Sequence, residues 1–158
     1  MKITQRITTH QPWILFAVLA LLLCLAGPQH AFASGDPIKV GVTASLTGQY
    51  AAPGQNLLAG IRMWADDINA RGALLGRPVE IVYYDDRSDP ATSARLYERL
   101  INEDRVDLLI GPYASDLTLA ACPVIEGHDF PMVSGSASAS EIWSRGYGNI
   151  FQVDTPAV

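Results

Sequence analysis

Val106-Asp-Leu-Leu-Ile-Gly-Pro-Tyr-Ala-Ser-Asp-Leu-Thr-Leu-Ala-Ala121 joins a short apolar run to a helical pattern across Gly111-Pro112. A brief apolar run closed by Gly and Pro suits a fully buried parallel strand, and the Ser-Asp that follows is the composition of a helix N-terminus. The helix is expected to begin near Ser115. At such a junction unpaired backbone N–H groups and the positive end of the helix dipole face the space beyond the strand, where an anion is stabilised. Taken alone, Ser115 reads as an ordinary helix cap. What turns the reading toward binding is the rest of the chain.

Upstream, Ile38 to Ala44 is a β-branched first strand, followed by a small, polar loop from Ser45 to Gly54. Leu57, Leu58, Ile61, Trp64, Ala65 and Ile68 then recur at helical spacing and form one apolar face. Val79 to Tyr84 reads as a second strand, closed by Asp85-Asp86. Asp89 fits an N-cap with Pro90 at the first helical position, and Ala94, Tyr97, Leu100 and Ile101 make the buried stripe of that helix. Downstream, Leu117, Ala120, Ala121, Val124 and Ile125 give the third helix its inner face, which Pro123 should kink or shorten. Pro131 to Ser134 is a fourth strand, Glu141 to Arg145 a short helical turn and Ile150 to Val153 a fifth strand. Strand and helix alternate, so the fold class is α/β: a doubly wound parallel sheet with helices on both faces. Ligands of such sheets bind beyond the carboxyl ends of the strands. Most of the loops there are built from Gly, Ala, Ser and Thr, with no general base, which fits gripping a small molecule better than transforming it.

The first 33 residues have the layout of a cleavable secretory signal: Lys2 and Arg6, an apolar stretch from Trp13 to Gly27, and Ala31-Phe32-Ala33 before Ser34. The stretch is shorter than a bilayer span, so the product is expected to be periplasmic and not membrane-spanning. Leu21-Leu22-Leu23 before Cys24 does not suit lipidation. Removing Lys2 and Arg6 with the signal takes the formal charge from −5 to −7, and an acidic domain with scattered Arg has no footprint for nucleic acid. Cys122 is then the single cysteine and reads as a small buried hydrophobe.

Enzyme readings lack their motifs. Ser134-Gly-Ser-Ala-Ser138 misses the second Gly of a nucleophile elbow, and His128 is the sole histidine of the mature chain, expected exposed at a turn. Gly48 and Gly54 are too far apart for a dinucleotide fingerprint. Asp85-Asp86 follows the second strand, whereas a phosphorelay receiver carries its acidic pair after the first. With Asp89 these acids offer too few ligands for a dedicated Ca²⁺ or Mg²⁺ loop; they read as solvated loop residues and a helix cap. No cofactor or metal is expected.

Five motifs in one order carry a resemblance: Ile38-Lys-Val-Gly-Val with Leu46-Thr-Gly48 and Gly54; Asp66-Asp-Ile-Asn-Ala-Arg-Gly72 with Leu75-Gly-Arg77; Tyr84-Asp-Asp with Asp89-Pro90; Ile110-Gly-Pro112 with Ser115; and Phe130-Pro-Met-Val-Ser134. Over Ile38 to Val158 the chain resembles the N-terminal lobe of type I periplasmic solute-binding proteins, the branched-chain amino-acid binding family of ABC importers. The resemblance implies two α/β lobes that close on a ligand, of which residues 34–158 are one, truncated before the second. It implies that Ser115 binds a ligand carboxylate, that the Ala137 carbonyl takes an ammonium and that Ser138 contacts both charged groups. Pro53 falls where some members place an aromatic over the ligand side chain, and Ser88 and Ala114 stand where some place a disulfide. It also implies apolar surface left uncovered, because segments returning after the second lobe complete the first. Tyr113, with Tyr50 and Trp143, reads either as ligand packing or as ordinary core. The expected function is capture of branched-chain or related amino acids, or amides, for an ABC permease. The alternatives are the ligand-sensing lobe of a signalling receptor and an exported small α/β enzyme.

Overall fold

The computed structural model describes residues 35–155; the expected signal over residues 1–33, with Cys24, lies outside the described residues. Five strands form one parallel sheet in the order β2-β1-β3-β4-β5: β1 Ile38–Ala44, β2 Val79–Asp85, β3 Leu108–Ile110, β4 Met132–Ser134 and β5 Ile150–Gln152. The helices between them are α1 Ala51–Ala70, α2 Pro90–Asn102, α3 Ser115–Gly127 and α4 Ser140–Ser144. This is the doubly wound arrangement that alternation implied. β1 lies between β2 and β3, so all but Lys39 of its residues are buried, as its β-branched run requires. Among the described residues no helix is long and apolar enough to cross a membrane.

The main core lies on one face of the sheet, where Leu109, Met132 and Ile150 meet Tyr97 and Leu100 of α2 and Ala121, Cys122 and Ile125 of α3. Tyr97 is fully buried, and its hydroxyl donates to the Ile110 carbonyl at 2.6 Å. α1 covers the other face over β1 and β2 through Leu58, Ile61 and Ala65. Side chains alternate along each strand, so Val133 and Phe151, paired with each other and in line with Ile110, point to the α1 side. No described helix covers them there: Leu108, Val133 and Phe151 are all exposed. Apolar surface of the kind expected to be left open is therefore present on the β3–β5 half of one face.

Several local expectations need correction. α1 starts at Ala51, so the loop after β1 ends at Tyr50 and Pro53 stands in the first helical turn, where its missing N–H leaves no bond unmade. Trp64 is 40% exposed and does not belong to the buried stripe; it lies beside Ala65, which takes the inward position. On α2 the buried positions are Ser93, Leu96, Tyr97 and Leu100, with Ala94 and Ile101 only half-buried. α3 continues through Pro123 to Gly127 and is not shortened, because its Leu117–Ala121–Ile125 stripe is held in the core on both sides of the proline. β3 begins at Leu108, two residues later than its apolar run. Cys122 is buried and His128 exposed at the α3 C-cap, as read.

Candidate ligand site

In the order 2-1-3-4-5 the sheet's connections diverge between β1 and β3, which opens a crevice at their carboxyl ends. Three segments meet there: Ser45–Tyr50 after β1, Gly111–Ala114 after β3 and Gly135–Ala139 after β4.

The β3–α3 turn has the expected strand-to-helix form with one change of role. Ala114, with φ −99° and ψ 152°, is the N-cap and has no side chain to cap with; Ser115 is the first helical residue. The Ser115 hydroxyl is directed away from its own helix end. Its Oγ accepts the Ala139 N–H at 3.2 Å, joining the β3–α3 turn to the segment after β4. A serine hydroxyl that accepts in this way keeps its own hydrogen to donate. With no side-chain cap, the first amides of α3 stay turned to the crevice, apart from Leu117 N–H, which donates to Asp116 Oδ1 at 3.0 Å. Thr118 Oγ1 ties the first turn down by donating to the Ala114 carbonyl at 3.0 Å.

Ala137 is fully buried, with its methyl in the main core, so only its backbone is able to serve a ligand. Its carbonyl accepts a long 3.4 Å bond from Gln152 Nε2 and has a second lone pair. Ser138 is half-buried, between Ala137 and the Ala139 amide that Ser115 holds. Tyr113 is half-buried, its ring 6.1 Å from that of Tyr50 and tilted by 55°. Tyr50 in turn donates from its hydroxyl to Asp116 Oδ2 at 3.3 Å. Burial, and after it the Asp116 carboxylate, holds the Tyr50 phenol above the usual tyrosine range, so it remains a neutral O–H donor. The structure thus gathers Ser115, Ser138, Ala137 and Tyr113 at one end of the sheet. Pro53 enters this group only as a half-buried residue of the α1 turn that follows Tyr50.

Two further residues complete the rim: Tyr50, which the sequence left open between ligand packing and ordinary core, and Asp116, which it did not single out. Tyr50 supplies an aromatic from the β1 side, against Tyr113. Asp116 is an exposed carboxylate in the first turn of α3, where the dipole favours it.

The acidic pair Asp85-Asp86, at the end of β2, needs a further correction. Asp86 is fully buried, not solvated: its Oδ1 accepts from Ser45 Oγ at 2.7 Å and from Ser88 N at 2.9 Å, and its Oδ2 has no described partner. Asp85 Oδ1 accepts from Leu46 N and Arg87 N, each at 2.9 Å, and Oδ2 from Thr47 Oγ1 at 2.8 Å. Burial pushes the Asp85 carboxyl up, but the bonds from Arg87, Thr47 and Leu46 outweigh it and hold the group below the usual carboxylate range. Asp89 caps α2 through Thr92 N at 2.7 Å. Among the described residues no three His, Cys, Asp or Glu side chains are grouped to hold a metal ion.

A family model described as periplasmic binding protein matches residues 37–157. The leucine-, isoleucine-, valine-, threonine- and alanine-binding protein of Pseudomonas aeruginosa is 34% identical over 151 residues, which are 96% of this chain and 38% of that protein. The Leu/Ile/Val-binding protein of Escherichia coli K12 is 33% identical over 131 residues, 83% of this chain and 35% of that protein. Among solved structures, the branched-chain amino acid transporter substrate binding protein LivJ of Streptococcus pneumoniae, in complex with isoleucine, is similar with a TM-score of 0.72. Its identity is 28%, over 76% of this chain and 34% of that one. The chain spans little more than a third of the length of the curated relatives it matches.

Proposed function

The chain belongs to the periplasmic binding protein family, and from that premise we propose that it is a solute-binding lobe of an ABC importer that takes branched-chain or related amino acids outside the cytoplasm. The convergence of the Ser115 hydroxyl, the uncapped start of α3 and the Ala137–Ala139 backbone supports this reading. Donors facing one point at a helix N-terminus suit a carboxylate. The Ala137 carbonyl and the Ser138 hydroxyl, on the neighbouring segment, suit the ammonium of a zwitterion. The site contains acceptors and donors but no nucleophile–base pair, so capture without chemistry is what it supports. Transport follows if a facing lobe closes on the ligand and a permease reads the closed form; closure is driven by the higher affinity of that form.

Titration of the full chain with L-isoleucine, followed by amide chemical shifts, tests the reading. Weak saturable shifts are expected at Ser115, Asp116 and Ala139. A hydrogen bond to a charged group contributes about 1.5–3 kcal/mol, so Ser115→Ala should weaken binding by roughly tenfold or more. Unchanged affinity in that variant would remove Ser115 from the carboxylate site.

A further inference from the structure

The β2–α2 turn lies at the carboxyl end of β2, beside the loop after β1, and it grips that loop where it carries Tyr50. Ser88 is the centre of that grip. Its hydroxyl donates to the Thr47 carbonyl at 2.8 Å, and its Oγ accepts the Tyr50 N–H at 3.0 Å. One side chain therefore spans both ends of the Thr47–Tyr50 turn. Ser88 is itself fixed by Asp86, whose buried Oδ1 accepts the Ser88 N–H and also holds Ser45 at the root of the same loop. Arg87 and Ser88 both sit in the left-handed region, at φ 57° and 58°. Non-glycine residues remain there only where the surroundings over-determine the conformation. The two turns meet closely: a Cβ at Gly48, itself at φ 84°, would lie 2.5 Å from the Arg87 carbonyl oxygen and 2.7 Å from Ser88 Oγ. Beyond this contact, the Tyr50 ring reaches Tyr113 and its hydroxyl reaches Asp116, the neighbour of Ser115.

We infer that Ser88, held by Asp86, is a positioning residue for ligand binding: it fixes the Tyr50 backbone and so aims the Tyr50–Tyr113 aromatic pair at the mouth of the site formed by Ser115. The inference rests on the ligand reading given above. It makes a turn outside the group formed by Ser115, Ala137 and Ser138 a determinant of how the site closes over a ligand side chain. The Tyr50 amide is the point at which the constraint passes from one loop to the other, so it is also where the constraint is measured.

The test uses the full chain, isotope-labelled, with L-isoleucine as the probe. Ser88→Gly removes the bridging hydroxyl while suiting the left-handed backbone better than serine does, so the fold and its melting temperature should be kept. Expected are Tyr50 amide exchange faster by roughly tenfold, loss of the ring-to-ring contact signals between Tyr50 and Tyr113, and isoleucine affinity lower by roughly fivefold. Ser88→Asn, which tolerates the left-handed region and restores an acceptor, should recover part of the Tyr50 protection. Unchanged Tyr50 exchange and ring contacts in folded Ser88→Gly overturn the inference, as does their change with isoleucine affinity intact. If isoleucine shifts nothing at Ser115 in the parent chain, the ligand reading fails separately. The Tyr50 exchange and ring contacts then still decide whether Ser88 holds the loop.

Discussion

Replacing Gly54 by alanine sets helix propensity against tertiary packing, and the structure says which wins. Gly54 is in the first turns of α1, and propensity alone favours alanine there by at most about 1 kcal/mol. A Cβ at this position, however, would lie 2.2 Å from the Ser45 carbonyl oxygen and 2.9 Å from its carbonyl carbon and nitrogen. Ordinary contact begins near 3.4 Å, so α1 and the end of β1 must separate by about 1.2 Å. The obstructing atoms are backbone, and Ser45 is itself fully buried and bonded to Asp86, so the strain cannot be relieved by a side-chain rotation. Overpacking of this kind costs about 1–3 kcal/mol. A backbone clash this deep belongs at the upper end of that range, so against a propensity gain of up to about 1 kcal/mol the net loss is about 2 kcal/mol, a fall in melting temperature of roughly 6–10 °C. Gly60, on the same helix, is the control: a Cβ there meets nothing within 4 Å. Gly60→Ala should stabilise by about 1 kcal/mol. Thermal and urea unfolding of the two variants, followed by circular dichroism, measures both signs together. A Gly54→Ala protein as stable as its parent, or more so, would refute the packing account of the α1–β1 contact.

Asp89→Ala removes the N-cap bond to Thr92 and leaves that amide to water; a loss of about 1 kcal/mol is expected in the same unfolding assay. Cys122 offers a pH test. Burial pushes its thiol up to about 11, from an ordinary value of 9.0. In the folded protein it should resist a thiol reagent at pH 8 and react once urea unfolds the chain. The sign for stability follows from linkage: the unfolded thiol ionises first, so the contribution is whole below pH 9 and is lost as the pH rises toward 11. Replacing Cys122 by alanine should make the loss of stability across that window shallower without abolishing it, because Tyr50, Tyr84 and Tyr97 are also held above the ordinary tyrosine value.

Much of the architecture was legible from local pattern. The β-branched run of Ile38–Ala44, the Asp89-Pro90 cap and the Gly111-Pro112 break each state a physical preference that depends on few distant residues, and the strands and helices stand where those preferences placed them. The resemblance located the strand-end residues Ser115, Ala137 and Ser138, and the structure gathers them at one end of the sheet. What periodicity could not settle was which of two adjacent apolar residues faces inward. Trp64 and Ala65 are both apolar, and the narrow space over β1 and β2 admits the smaller one.

The alternation of strands and helices, the parallel sheet and the placing of small polar loops at its carboxyl end follow from local propensity and chain connectivity, and so can be read from the chain alone. The roles of the polar residues emerge with the packing of distant segments. Ser115 is a bridge to Ala139 and not a cap, and Asp86 is a buried brace and not a solvated loop acid. The reason is that a hydroxyl or carboxyl near a turn has several possible partners within a few residues of it in the chain. Which one it takes is set by the segments the fold brings beside it, here from 24 residues away for Ser115 and 41 for Asp86.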